Sequence, residues 1–214
     1  MNELSRISPV QQLSYNVNQP GDKNINIFNH ADGVINLVSP APLQLPEHNT
    51  EQLIAIQNFS KDYYQLIVTV AEDVFTSNEV IIPIDQALTQ NHAPSEIYAR
   101  CSSLSETGID ELKTFPALIC NQNTDYHGLT DDKQHAIYSY IKRIKKEGRN
   151  IKISFCPIAV FPQHKLCKKS TSVYFDINME CAITDLNQSA WSVHKVNLFE
   201  AFDVANLSNM PRPY

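Results

Sequence analysis

Residues 137–158 constrain the fold of this chain more than any other stretch. From 151 to 155 the sequence alternates apolar and polar residues as IKISF, and the run 137–146 is dense in Ile and Tyr. Alternation with period two, together with β-branched and aromatic residues, is typical of β-strands. Gly148 lies between the two runs, where a tight turn is expected. These residues therefore predict a β-hairpin.

A helix is the competing prediction for the first of these runs. Ile137, Ile141 and Ile144 recur at helical spacing, and Gly148 suits the position after a helix end. The alternation of the second run favours the hairpin, preceded by one helical turn at 131–135. Prolines bracket residues 156–162, so this continuation is expected to be an edge strand.

The remaining pattern predicts an α+β fold. Apolar residues recur at steps of three and four from Leu53 to Val74, which predicts a long amphipathic helix over residues 50–73. Strands and helices mix irregularly instead of alternating as βαβ units. We expect a small twisted, mostly antiparallel sheet or partial β-barrel with this helix and a C-terminal helix. The further expected strands are 80–84, 115–120, 173–177 and 191–196, and the further helical segments are 86–89, 95–100, 109–113, 163–169 and 198–206.

The chain is predicted to divide into a polar N-terminal arm, residues 1–46, and a globular α+β domain, residues 47–214. Three prolines fall within 39–46. Proline fixes its own φ and biases the preceding residue toward extended geometry, so this segment is expected to be a semi-rigid linker.

A β-hairpin is also predicted inside the arm. Segments 24–28 and 34–38 carry alternating apolar residues, and Asp32-Gly33 between them supplies turn chemistry. Its Asn-rich outer face resembles the hairpins at the front of some bacterial conflict-system proteins. We expect this hairpin to mediate association with a protein partner or with another copy of the chain.

The composition is that of a globular protein. The 214 residues are 43% hydrophobic, no apolar run approaches membrane-spanning length, and the first residues lack an apolar signal segment. The five cysteines are scattered without a CxxC pair, as in proteins of a reducing compartment. We therefore expect a cytoplasmic protein without a membrane segment.

Charge is distributed unevenly along the chain. The net charge of −6 divides into −11 over residues 1–141, +8 over 142–169 and −3 over 170–214. Cations that neutralise phosphates, beside aromatic rings that stack on bases, are the ingredients of nucleic-acid binding by small sheets. The residues expected to form such a site are Tyr138, Tyr140, Lys142, Arg143, Lys145, Lys146, Arg149 and Lys152.

Two other interpretations of this basic segment stay open. Exposed lysines on an edge strand commonly prevent pairing between sheets. A basic surface can also dock on the acidic half of another copy or on an acidic partner.

Other residues are considered for catalysis and for metal binding. Glu111 and Lys113 have the ExK spacing of metal-dependent nucleases, with Asp85 as the second acid that such a site needs. The GxSxG, HExxH, GxxxxGK[ST] and GxGxxG motifs do not occur, so we expect no cofactor and favour binding over catalysis. The residues considered for zinc are Cys156, His164, Cys167 and Cys181, which lack paired CxxC knuckles.

The sequence therefore predicts a non-enzymatic binding or assembly protein whose basic hairpin contacts nucleic acid or another polyanion. One alternative is a structural or regulatory subunit of a bacterial protein complex, connected with defence or mobile elements. A metal-dependent, nuclease-like hydrolase is a further alternative.

Overall fold

A computed structural model describes the chain in two units, Met1–Glu47 and His48–Tyr214. In the first unit, strands β1 (Ile27–Asn29) and β2 (Ile35–Leu37) pair antiparallel. The other residues of the arm, including the linker, lie outside the described residues. The role of the arm in association with a partner therefore stays a prediction. The described residues are 27–29, 35–37, 50–71, 74–131, 133–179 and 181–214.

The second unit is an α+β domain built on a curled, six-stranded sheet that forms half a barrel. The strand order is β4-β7-β6-β5-β3-β8. Strands β3 and β5 run parallel, and every other neighbouring pair is antiparallel, so the prediction of a mostly antiparallel sheet is confirmed. The strands are β3 (Tyr64–Thr69), β4 (Glu79–Pro83), β5 (Ala117–Asn121), β6 (His135–Glu147), β7 (Asn150–Pro162) and β8 (Ala190–His194).

Short helices cover both faces of this sheet. Among the described residues, none of them is long and apolar enough to cross a membrane. The α-helices are α1 (Thr50–Gln57), α2 (Val74–Ser77), α3 (Ser95–Cys101), α4 (Glu106–Lys113), α5 (His164–Cys167), α6 (Lys169–Ser172) and α7 (Leu198–Val204), and the 3₁₀ turns are Ile84–Gln86, Val173–Phe175 and Asp185–Asn187.

Several predicted elements are confirmed. Strand β4 lies at the edge of the sheet and ends at Pro83, as expected of a proline-bearing strand. Strands β5 and β8 and helices α3, α4, α5 and α7 also coincide with predicted segments. Asn197 caps α7, because its side chain accepts a hydrogen bond from the Phe199 N–H at 3.1 Å.

The hairpin predicted around Gly148 is confirmed and is longer than expected. Strands β6 and β7 pair from His135–Pro162 to Glu147–Asn150 across a two-residue loop. Gly148 has φ of +62°, and glycine at the first loop position suits a type II′ turn. Bulges at residues 138–139 and 141–143 increase the twist of the hairpin. Strand β7 pairs with β4 only over residues 150–154, so in the described part of the chain its remainder is an edge strand, as predicted.

The long amphipathic helix predicted over residues 50–73 is wrong. Helix α1 ends at Gln57, and Tyr64–Thr69 is an inner strand with every residue buried. A strand that is buried on both faces does not alternate apolar and polar residues. Large apolar residues therefore occur at many positions, and some of them are three or four residues apart, as they are in a helix. The polar Ser60-Lys61-Asp62 separates the two elements.

Two predicted helical turns are also wrong. The turn expected at 86–89 is a 3₁₀ turn, Ile84–Gln86, that follows β4 directly. In the segment predicted as a helical turn at 131–135, the Asp131 carboxylate accepts a hydrogen bond from the Lys133 N–H at 2.8 Å, and β6 begins at His135. Local bonds of this kind compete with helix formation.

The strand predicted at 173–177 is a 3₁₀ turn, Val173–Phe175. Val173 and Tyr174 are exposed, whereas Phe175 is fully buried. The chain leaves this turn through Asp176, whose φ of +53° lies in the left-handed region, so the segment does not stay extended.

A buried amide joins the central strands to a helix. Gln65 of β3 is fully buried, and its Nε2 donates to the carbonyl oxygens of Leu112 and Phe115, each at 3.0 Å. Its Oε1 accepts a hydrogen bond from Trp191 Nε1 at 3.1 Å. This side chain thus connects β3, β8 and the C-terminal end of α4.

Replacing Gln65 by methionine removes these three bonds at nearly constant volume. We expect Gln65→Met to lower the free energy of unfolding by about 2–4 kcal/mol, since buried polar groups left unpaired cost about 1–3 kcal/mol each. Urea denaturation measures the change, with Gln90→Met at an exposed turn as the control. Equal stability of the two variants would contradict this role.

An ion pair at the surface joins α3 to the end of β8. The Lys195 ammonium lies 2.8 Å from Glu96 Oε1, and the Tyr63 hydroxyl donates to the same oxygen at 3.0 Å. The hydrogen bond from Lys195, followed by backbone and Tyr63 bonds, lowers the pKa of Glu96 from 4.5 to about 2.

This depressed pKa predicts a dependence of stability on pH. The ionised carboxylate stabilises the fold above about pH 4.5, and that contribution is lost as the pH falls toward 2. As the pH falls from about 4.5 to about 2, we expect the Glu96→Gln variant to lose less free energy of unfolding than the parent. Urea denaturation at several pH values measures this loss. Glu106→Gln, at an exposed position of α4, is the control. Parallel pH profiles for parent and Glu96→Gln would refute the prediction.

Candidate functional site

The distal part of the β6–β7 hairpin presents cations to solvent. Beyond the second bulge, Ile144 and Ile153 pair across the strands and are buried against one face of the sheet. Lys145 and Lys152 form the next pair, so they point to the opposite face. We call this region the basic tip, which comprises Lys142, Arg143, Lys145, Lys146, Arg149 and Lys152.

Half of these cations are neutralised by carboxylates within the domain. The other half, Arg143, Lys146 and Arg149, are exposed and make no ion pair with any described residue. Six cations against three carboxylates leave the basic tip with a local charge of +3. The ion pairs are Lys142–Glu51 at 3.3 Å, Lys145–Glu147 at 2.8 Å and Lys152–Glu79 at 2.7 Å.

The two tyrosines expected beside these cations lie in the core. Tyr138 and Tyr140 are 0% and 5% exposed, and burial raises the pKa of both phenols. The Tyr138 ring packs edge-on against Phe202 of α7 at 5.2 Å, and its hydroxyl donates to the carbonyl oxygen of Pro211 at 2.9 Å. Neither ring is available to stack on a base, which corrects that part of the sequence prediction.

The residues considered for catalysis are not brought together. Glu111 and Lys113 lie two positions apart on α4, and residues at this spacing do not face each other on a helix. Glu111 instead pairs with Arg100 at 2.6 Å, which lowers the pKa of Glu111, and Lys113 pairs with Asp110 at 3.1 Å. Asp85 is exposed in the 3₁₀ turn after β4.

The residues considered for zinc do not form a cluster either. Among the described residues, no three His, Cys, Asp or Glu side chains are close enough to hold a metal ion. The Cys167 sulfur lies 2.9 Å from the Thr130 hydroxyl, and burial raises the pKa of this thiol. Cys156 and His164 are half-buried, and Cys181 is exposed.

The structure shows a polar pocket that the sequence did not predict. Strands β3 and β5 are parallel and end side by side at Thr69 and Asn121. Ligands of sheets with parallel strands are commonly bound beyond the carboxyl ends of those strands. A cavity of about 570 Å³ lies there, and a second of about 640 Å³ shares its wall residues Thr69, Val70, Gln122, Asn187 and Gln188. We call the two cavities together the amide pocket.

Side-chain amides hold the walls of this pocket in place. Gln163 is buried, and its Nε2 donates to Asn121 O at 2.7 Å and to Asn123 Oδ1 at 2.9 Å. Its Oε1 accepts the Asn121 N–H at 3.0 Å. Gln122 Nε2 donates to Asn187 O at 2.7 Å, which ties the loop after β5 to the loop before β8.

Two buried polar atoms at this pocket have no hydrogen-bond partner among the described residues: Asn121 Oδ1 and His92 Nδ1. Asn121 lines the first cavity and His92 lines the second. Burial lowers the pKa of His92, which favours its neutral form. Buried polar groups are normally paired, so two orphans at one pocket are unusual.

One wall of the pocket comes from the polar run 121–126, NQNTDY, at the end of β5. The opposite wall of the pocket is formed by Asn187 and Gln188, about 65 positions further along the chain, and reaches Asn150 at the hairpin turn. No local pattern links these segments, because curling of the sheet brings them together.

A hydrogen-bonded chain of three side chains lies near the end of β8. Ser192 Oγ is 2.8 Å from His194 Nε2, and His194 Nδ1 is 3.2 Å from Asp176 Oδ2. The bond to His194 lowers the pKa of Asp176. The Ser192 hydroxyl also lies 3.3 Å from Leu66 O, and the His194 ring stacks on Tyr64 at 5.1 Å. These contacts fasten β8 to β3 and to the turn at Asp176.

Comparison of the chain with protein-family models, with curated proteins and with solved structures gives no significant match.

Proposed function

We propose that this chain is a non-enzymatic binding protein that contacts the phosphate backbone of nucleic acid through the basic tip. The observation that carries the proposal is the exposure of Arg143, Lys146 and Arg149 without an ion pair among the described residues. Unpaired cations are free to replace the counterions that surround phosphates.

The hairpin itself supports this proposal. The basic tip lies on β6 and β7, β4 pairs with its β7 side over residues 150–154, and its inner face is anchored by Ile144, Ile151 and Ile153 in the core. Its cations are therefore held on a rigid element, so little loop entropy is lost when they meet a ligand.

The burial of Tyr138 and Tyr140 limits the kind of contact expected at this surface. Without accessible rings, the basic tip contacts phosphates and carries little sequence preference of its own. Three free cations predict a slope of log affinity against log salt of about −2 for single strands and about −3 for duplexes.

Reversing the three free charges tests the proposal. We expect the triple variant Arg143→Glu, Lys146→Glu and Arg149→Glu to bind labelled single-stranded RNA or DNA at least about tenfold more weakly at low salt, with a flatter salt slope, because three phosphate contacts are lost. Fluorescence anisotropy from low to physiological salt measures both quantities.

The matched control is the triple variant Lys133→Glu, Lys168→Glu and Lys169→Glu, which changes the net charge by the same amount at other exposed positions. It is expected to bind like the parent. Unchanged affinity of a correctly folded tip variant, or equal losses in both triple variants, would overturn a specific role for the basic tip.

Tyr138 provides a second test. We expect Tyr138→Phe to lower the free energy of unfolding by about 1 kcal/mol, because it removes the hydrogen bond to Pro211, and to leave nucleic-acid affinity unchanged. Urea denaturation and anisotropy measure the two effects. Weaker binding at unchanged stability would show that this tyrosine does contact the ligand.

A further inference from the structure

We infer that the amide pocket binds a purine base, with adenine as the best fit. This inference rests on the proposed function, because the base is expected to belong to the nucleic acid that the basic tip contacts. The pocket would hold the base, and the basic tip would contact the phosphate. The pocket borders the tip directly, because Asn150 lines its second cavity and follows Arg149 in the hairpin turn.

The walls of the pocket suit an uncharged ligand with hydrogen-bonding edges. Apart from His92, every described residue that lines the two cavities is neutral, and amide side chains dominate. A buried phosphate or carboxylate would find no compensating cation there, which is costly. A base carries donors and acceptors without a charge, so it meets no such penalty.

Exposed apolar side chains at the mouth of the pocket suit a flat ring. Val70, Tyr126 and Ile183 are 72%, 62% and 52% exposed, and all three line the first cavity. Tyr126 supplies an accessible aromatic face, which the buried Tyr138 and Tyr140 do not. Stacking of a base on such a side chain is worth about 1–3 kcal/mol.

Asn121 supplies the argument for adenine. An Asn amide matches the N6–H donor and the N7 acceptor of adenine, and its Oδ1 has no hydrogen-bond partner among the described residues. The residue itself lines the first cavity, so a ligand there comes within reach of its side-chain amide. A ligand N–H there satisfies an acceptor that is otherwise left unpaired.

Titration of the full chain with adenosine tests the pocket without the basic tip, because adenosine has no phosphate. By isothermal titration calorimetry we expect saturable binding, at least about fivefold weaker for guanosine and for the variant Asn121→Leu, since a bidentate amide contact discriminates by about 1–3 kcal/mol. The control Asn209→Leu, at an exposed site after α7, is expected to bind like the parent.

The triple tip variant separates this inference from the proposed function. It is expected to bind adenosine like the parent while losing affinity for oligonucleotides. Absence of adenosine binding up to about 10 mM, or equal affinity of the correctly folded Asn121→Leu variant, would overturn the inference that the amide pocket binds a base. Either result would leave the proposed role of the basic tip unaffected. Adenosine binding without any oligonucleotide binding would overturn the proposed function and would still support a base-binding role of the amide pocket.

Discussion

The packing of β3 against β8 and α4 depends on the buried amide of Gln65. Gln65 lies on the inner strand β3. Its side chain accepts a hydrogen bond from the indole N–H of Trp191 on β8 and donates to two carbonyl oxygens at the end of α4. An apolar residue there would leave these groups unpaired in the core, where water cannot replace the lost partner. One side chain thus ties β3 to the strand beside it and to the end of α4.

The sequence predicted those elements whose pattern is local. The β6–β7 hairpin was predicted because IKISF alternates and a glycine marks the turn, and the helical segment 198–206 coincides with α7. Strand β3 was mistaken for a helix, because a strand buried on both faces has no alternation to identify it. Whether a strand is buried on one face or on both depends on residues that are distant along the chain. A single sequence does not show which of those residues pack against the strand.

The same limit applies to the candidate sites. The cations of the basic tip were visible as a charge run, yet their ion pairs with Glu51 and Glu79 were not, since those partners come from other elements. Tyr138 and Tyr140 were assigned to an open face that helices in fact cover. The amide pocket joins residues after β5 with residues before β8, so its donors and acceptors become a set only in the folded chain.

The bond between Gln65 and Trp191 spans 126 positions of the chain, and this separation has a consequence for biosynthesis. The hairpin closes between neighbours and is able to form as soon as its two strands leave the ribosome. Strand β3 emerges much earlier, but it has to wait for β8, so its apolar residues remain without their final neighbour during most of translation. Contacts of such long range slow folding and prolong the exposure of aggregation-prone segments. The order of synthesis therefore leaves one side of β3 unpaired until the last strand of the sheet has been made.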